Sequence, residues 1–184
     1  MSTTSRHVAP GLPVPTGIWS VDREQSEVGF AVKGMWGLQT VRGIFRSYDG
    51  SLRVVDGVAD GHLTIDAASL DTGLAMRDKH LRSADFFDVQ RYPHIVLAAT
   101  AAGAGEGEAL VVSADLTVGS SQVELQIPIE VGQEADGGLH LRGEAGVSRE
   151  AVGLRWNKLG TIRGNATLHA RLVLSPAGKD ETVT

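Results

Sequence analysis

The chain predicts an all-β fold of about eight antiparallel strands, a barrel or a sandwich, and three observations predict it. Apolar and polar residues alternate with period two through most of the sequence, as they do when successive strand side chains point to opposite faces. The alternating segments are short and separated by turn-forming residues, 23 of the 184 residues being glycine. Helical cues are confined to two brief stretches, so no second layer of helices is available to cover a parallel sheet.

The elements follow in order. "MSTTSRHVAPGLPVPTG" carries Pro10, Pro13 and Pro15 and reads as an extended arm over residues 1–16. It lacks the apolar run of a secretory signal, so a cytoplasmic location is expected. "SEVGFAVK" puts Val28, Phe30 and Val32 on one face. "GMWGLQ" is a short turn or helix, and "TVRGIFRSYDG" then groups Val41, Gly43 and Phe45. Leu63, Ile65 and Ala67 align next, then Ile95, Leu97 and Ala99, then Leu110 through Val118 at every second position. "SSQVELQIPIEV" is the clearest case: Val123, Leu125, Ile127, Ile129 and Val131 oppose Gln122, Glu124, Gln126 and Glu130. Pro128 removes one N–H from its ladder and marks an edge, a bulge or a bend. Leu139–Val147 and Ala166–Leu174 complete the set, and a loose tail follows over residues 176–184.

Bulk properties exclude several functions. The net charge of -5 offers no basic footprint for nucleic acid. The absence of cysteine removes disulfides, thiolate metal sites and cysteine nucleophiles. No stretch approaches the roughly 20 apolar residues of a membrane span. No nucleophile elbow, zinc-protease helix or phosphate-binding loop occurs. His62, His140 and His169 fall at alternate, solvent-facing strand positions.

One stretch concentrates polar chemistry: "MRDKHLRSADFFDVQRYPHI", residues 76–95. Asp71 or Thr72 can cap a helix running to about Ser83. Asp78 and His80 are two apart, on different faces of such a helix, and form no orienting pair. The fourteen residues between His80 and His94 match no metal-ligand spacing, so no metal is expected. Arg77 and Arg82 can clamp a phosphate or carboxylate, or belong to a solvated face with local ion pairs. Asp85 is suited to capping a short turn. Phe86 and Phe87 cannot both be exposed without cost, so the segment docks across one mouth of the sheet structure, with Trp36 and Trp156 as candidates for the same rim.

These residues resemble the YceI-like, polyisoprenoid-binding family. "GIWSVDREQSEVGFAVKGMWGLQTVRGIFRSYDGSL" is similar to its opening, "ASLDTGLAMRDKHLRSADFFDVQRYPHI" to its most specific signature, and "GVSREAVGLRWNKLG" to its Ser-Arg, Gly-Leu and Trp-Asn segment. Ala151-Val152 stand where the family usually has an aromatic. The resemblance covers about residues 17–175. It implies an eight-stranded, elongated, lipocalin-like antiparallel barrel with a short helix or turn near one mouth. It also implies an apolar pore for a long-chain amphiphile (polyisoprenoid, prenylated quinone, fatty acid or fatty amide) and a possible homodimer. The implied occupant is a bound lipid, and no further cofactor is required.

The pore walls then include Val28, Phe30, Val32, Phe45, Leu125, Ile127, Ile129, Leu168 and Leu172. The mouth includes Trp36, Arg77, Asp78, His80, Phe86, Phe87 and Trp156. Each buried methylene contributes about 0.8 kcal/mol, so a twenty-carbon tail offers on the order of 16 kcal/mol before ordering costs. Affinity can therefore come from the pore alone. The alternatives are an enzyme at the mouth, with His80 or Asp78 as acid or base, and a filled barrel serving as an interaction module.

Overall fold

The computed structural model describes residue 12 and residues 14–34, 39–102, 110–133, 137–154 and 165–177. Ten strands run in chain order: β1 (Gly17–Gly34), β2 (Gln39–Phe45), β3 (Tyr48–Val55), β4 (Val58–Asp66), β5 (Leu70–Asp71), β6 (His94–Ala102), β7 (Leu110–Val118), β8 (Ser121–Gln133), β9 (Leu139–Val147) and β10 (Ala166–Pro176). Among the described residues one α-helix, α1 (Ala75–Arg82), lies between β5 and β6, and a single 3-10 turn (Ala67–Ser69) joins β4 to β5. Every pairing is antiparallel, and β10 pairs back onto β1, closing the sheet. Closure removes the exposed edges an open sheet would leave.

Ten strands make eight staves. β2 and β3 lie end to end along the same side of β1, with Val28 opposite Phe45 and Gly17 opposite Val54, and β5 is a two-residue addition to β2. β1 bends where that stave changes strand, and its register on β10 shifts between Asp22 and Glu27. The Asp22 carboxylate accepts from the backbone N–H of Glu24 at 2.9 Å and from the side chain of Gln25 at 2.7 Å. This local bonding competes with the ladder and makes the bulge.

The barrel is an all-β, eight-stranded antiparallel barrel with one short helix, as the alternation and the resemblance predict. Its packed ends differ. At one end Trp19, Val54, Leu139 and Leu174 are buried together. Val14 is buried there and Leu12 half-buried, so these residues of the expected arm pack against the barrel. At the other end Phe45, Ile65, Leu70, Val118, Val147 and Val152 form a second cluster, onto which Leu81 of α1, Phe87 and Val89 pack. Between these clusters, inward apolar residues such as Leu125, Ile129, Leu168 and Leu172 are only half-buried. Inward side chains that still meet a solvent probe are facing open space.

α1 begins later than the sequence predicts. Leu74 is its N-cap and supplies no side-chain bond. Asp71 and Thr72 do not cap it because their side chains are committed elsewhere. The Asp71 carboxylate accepts from the Gly73 N–H at 2.8 Å and from Arg46 at 2.7 Å, and the Thr72 hydroxyl donates to Asp78. Gly73 carries the positive φ of 76° that turns the chain into the helix.

Candidate functional site

A cavity of about 420 Å³ runs through the barrel, from Val14 and Ala101 at the Trp19 end to Arg77 and His80 at the α1 end. That volume is in the ordinary range for small-molecule sites, about 300–1,000 Å³. Val28, Phe30, Val32, Phe45, Leu125, Ile127, Ile129, Leu168 and Leu172 all line it. Their common wall follows from period two, since each projects inward from its own stave. Small residues are part of the wall, among them Gly61 and Ala145. A Cβ built on Gly61 would come no closer than 3.8 Å to any neighbour, so this position leaves room that an average strand residue would fill.

Aromatic packing shapes the α1 end. The Phe30 and Phe45 rings lie 5.7 Å apart, and Phe87 meets Phe45 edge-on at 6.4 Å. Phe86 stands edge-on to His80 at 5.1 Å. Both phenylalanines line the cavity. Gly43 makes this approach possible, because a Cβ there would fall 2.6 Å from the Phe30 ring and 2.9 Å from the Thr72 methyl.

The polar residues of the mouth divide into two groups. Arg77, His80 and Arg149 line the cavity. Asp78 and Arg82 do not, and the reason is local bonding. Asp78 is 6% exposed and its carboxylate accepts from the Thr72 N–H at 3.1 Å and from the Thr72 hydroxyl. It holds the loop rather than facing a ligand. Arg82 donates from Nε to the carbonyl of Ala68 at 2.7 Å and from Nη2 to that of Leu70 at 2.5 Å, which straps α1 to the barrel. The clamp pairing of Arg77 with Arg82 is therefore not formed. Asp85 does not cap the following turn: Ser83 accepts from the Asp85 N–H, and the Asp85 carboxylate sits 3.3 Å from His80 Nε2. Trp36 and Trp156 lie outside the described residues.

Two contributors escape sequence reading. Thr72 accepts from Arg77 Nε at 2.7 Å while its carbonyl takes Arg77 Nη2 at 2.8 Å, so Asp78 fixes Thr72 and Thr72 fixes Arg77. Nothing in the spacing announces that relay. Arg149 follows β9 by two residues, on the parity of inward Val147, and period two carried one step beyond the strand finds it. Burial pulls its guanidinium below the usual arginine value. Of the three histidines assigned to outer faces, His62 is exposed and His140 and His169 are half-buried, but His62 and His169 also border the cavity, so the solvent-facing assignment does not hold for these two. Among the described residues no three histidine or acidic side chains gather as a metal set.

A family model described as the YceI-like domain matches residues 19–174. The chain belongs to the YceI-like family. Among curated YceI-like relatives, a UPF0312 protein of Photorhabdus laumondii is 39% identical over 94 residues, 50% of this chain and 48% of that protein. Protein YceI of Escherichia coli O157:H7 is 33% identical over 105 residues, 54% of each chain. The chain thus spans about half the length of the curated relatives it matches. Solved structures share the fold at lower identity. BcnA of Burkholderia cenocepacia superposes with a TM-score of 0.76 at 22% identity, covering 84% of this chain and 99% of that one. A polyisoprenoid-binding domain from Saccharophagus degradans superposes at 0.71 with 15% identity, covering 86% and 98%. Of the Ala151-Val152 pair in the turn after β9, Val152 is buried in the cluster at the α1 end.

Proposed function

We propose that this YceI-like domain binds a long-chain amphiphile inside its barrel, as a carrier or store rather than as an enzyme. The observation that carries the reading is the cavity: about 420 Å³, walled by inward apolar side chains between the two packed clusters. An apolar void of that size forfeits dispersion contacts along its whole lining, and a hydrocarbon tail restores them. A polyisoprenoid, a prenylated quinone, a fatty acid or a fatty amide has the required shape. The Saccharophagus neighbour, described as polyisoprenoid-binding, supports the class. The pore residues named above supply the affinity, and Arg77, His80, Phe86 and Phe87 shape the entrance.

Native mass spectrometry before and after organic extraction tests this. The expected result is a non-covalent adduct that extraction removes, and apo protein that takes up a long-chain isoprenoid or fatty amide one to one. Protein that carries no adduct and refuses both ligands sinks the reading. Acid–base chemistry at the mouth has one feature in its favour, the His80–Asp85 pair at 3.3 Å. It predicts turnover of a bound lipid that His80→Ala abolishes while the lipid stays bound.

A further inference from the structure

The cavity lies between two packed clusters, so a long tail needs a way in. The barrel wall has one long stretch without a ladder. β8 pairs with β7 from Ser121 to Ile129, but with β9 only from Ile129 to Gln133. Among the described residues no ladder pair joins Ser121–Ile127 of β8 to Ala145–Val147 of β9. Other neighbours are joined more fully. β9 pairs with β10 along its whole length, and β4 with β6 along all of Val58–Asp66. β6 and β7 part only at their tips, His94–Ile95 and Ala101–Ala102.

Both edges of this seam belong to the pore wall. Carrying the register of Ile129 on Gly143 onward would set Ile127 opposite Ala145 and Leu125 opposite Val147, and all four line the cavity. Ile127 and Val147 are buried, so apolar side chains shut the wall here where a ladder does not. On the outer face Glu124, Gln126, Glu144 and Gly146 are exposed, which lets water satisfy the free backbone groups. The β9 edge is thin: a Cβ on Gly146 would meet nothing within 4 Å. The seam is bounded at one end by the Ile129–Gly143 pair. At the other end stands the turn after β9, where a Cβ on Gly153 would lie 3.0 Å from the Ser121 hydroxyl. Val152 and Leu154 of that turn line the cavity too. Parting the two edges breaks no ladder bond, and it separates only apolar contacts that a passing tail replaces in kind.

Resting on the lipid-binding reading, we propose that the lipid enters and leaves sideways through the seam between β8 and β9, so that the entrance at the α1 end extends down the wall as a slot. Pro128 marks its far limit. The tail passes between Leu125 and Ile127 on one edge and Ala145 and Val147 on the other, and those side chains close behind it. Neither end cluster has to unpack.

The chain has no cysteine, so an engineered pair is the only site a thiol reagent can bridge. Gln126→Cys/Gly146→Cys spans the seam from its exposed face. Ser113→Cys/Gln126→Cys spans β7 and β8 where they are paired, and serves as the control. Each pair is joined by the shortest bis-maleimide that bridges it, and entry of parinaric acid into the lipid-free protein is followed by stopped-flow fluorescence. The seam bridge is expected to slow entry and exit alike, by about 10-fold or more, with Kd unchanged, because a gate alters the barrier and not the bound state. The control bridge leaves both rates as they are in the unbridged variant. An unchanged rate across a bridged seam overturns the proposal and leaves the carrier reading standing. So does equal slowing by both bridges, which would mean that the whole barrel must loosen. If the unbridged protein takes up no parinaric acid, the carrier reading falls and the entry route with it.

Discussion

Asp71, Asp78 and Asp85 lie within one short stretch and do three different things. Asp78 fixes a loop, Asp85 pairs with an imidazole, and Asp71 ties β5 to β2 through Arg46. The Gly73 N–H, and after it the Arg46 guanidinium, hold the Asp71 carboxyl below the ordinary carboxylate value. A depressed pKa stabilises the folded state above the unfolded value, about 3.9, and that contribution is lost as pH falls through the lower folded value. Asp71→Asn is therefore expected to destabilise the protein near neutral pH and to approach wild type below about pH 4. Urea unfolding across a pH series checks this, and a gap independent of pH would contradict it. Residue types and parity made the pore wall legible, and Arg77 and His80 as mouth residues. Asp78 and Arg82 were not legible, because their carboxylate and guanidinium are consumed by backbone groups that only the folded loop brings near.

At the scale of the element, Pro128 marks a change in how β8 is paired. β8 pairs with β7 along Ser121–Ile129, but its pairing with β9 covers only Ile129–Gln133 and stops one residue short of Pro128. Proline has no N–H to continue that ladder. Val152 and the turn after β9 pack at this end, with Gly153 close enough that a Cβ would stand 3.0 Å from the Ser121 hydroxyl. Alternate amides of an antiparallel strand point to opposite neighbours. Amide-resolved hydrogen exchange is therefore expected to alternate along Ser121–Ile127, protecting only the amides directed at β7. Uniform protection throughout would mean that β8 and β9 pair to the end. The sequence named the proline and three possible consequences. The register on both sides decided that the ladder ends there.

For the whole molecule, the central question is how a barrel of eight staves keeps a cavity rather than a filled core. Gly61 is part of the answer, since it faces the interior from the middle of β4 with space around it. Gly61→Phe is expected to leave the barrel folded and to block tail uptake. Displacing even two methylenes costs about 1.6 kcal/mol, more than a tenfold loss of affinity. Circular dichroism together with displacement of a fluorescent apolar probe by a long-chain lipid checks both halves, and undiminished uptake would place the ligand outside the cavity. The sequence by itself determined eight alternating segments and which residues of each share a face, because strand periodicity is local and needs only neighbouring residues; β3, the order of the staves and the inward face came from the structure. It also determined that Phe86 and Phe87 must dock, because two adjacent exposed aromatics are costly. Only the tertiary structure decided that the interior is open, and that Arg77, His80 and Arg149, from separate parts of the chain, all line it. Open volume and local charge are sums over side chains that closure of β10 onto β1 brings together from distant positions, and no segment contains those sums.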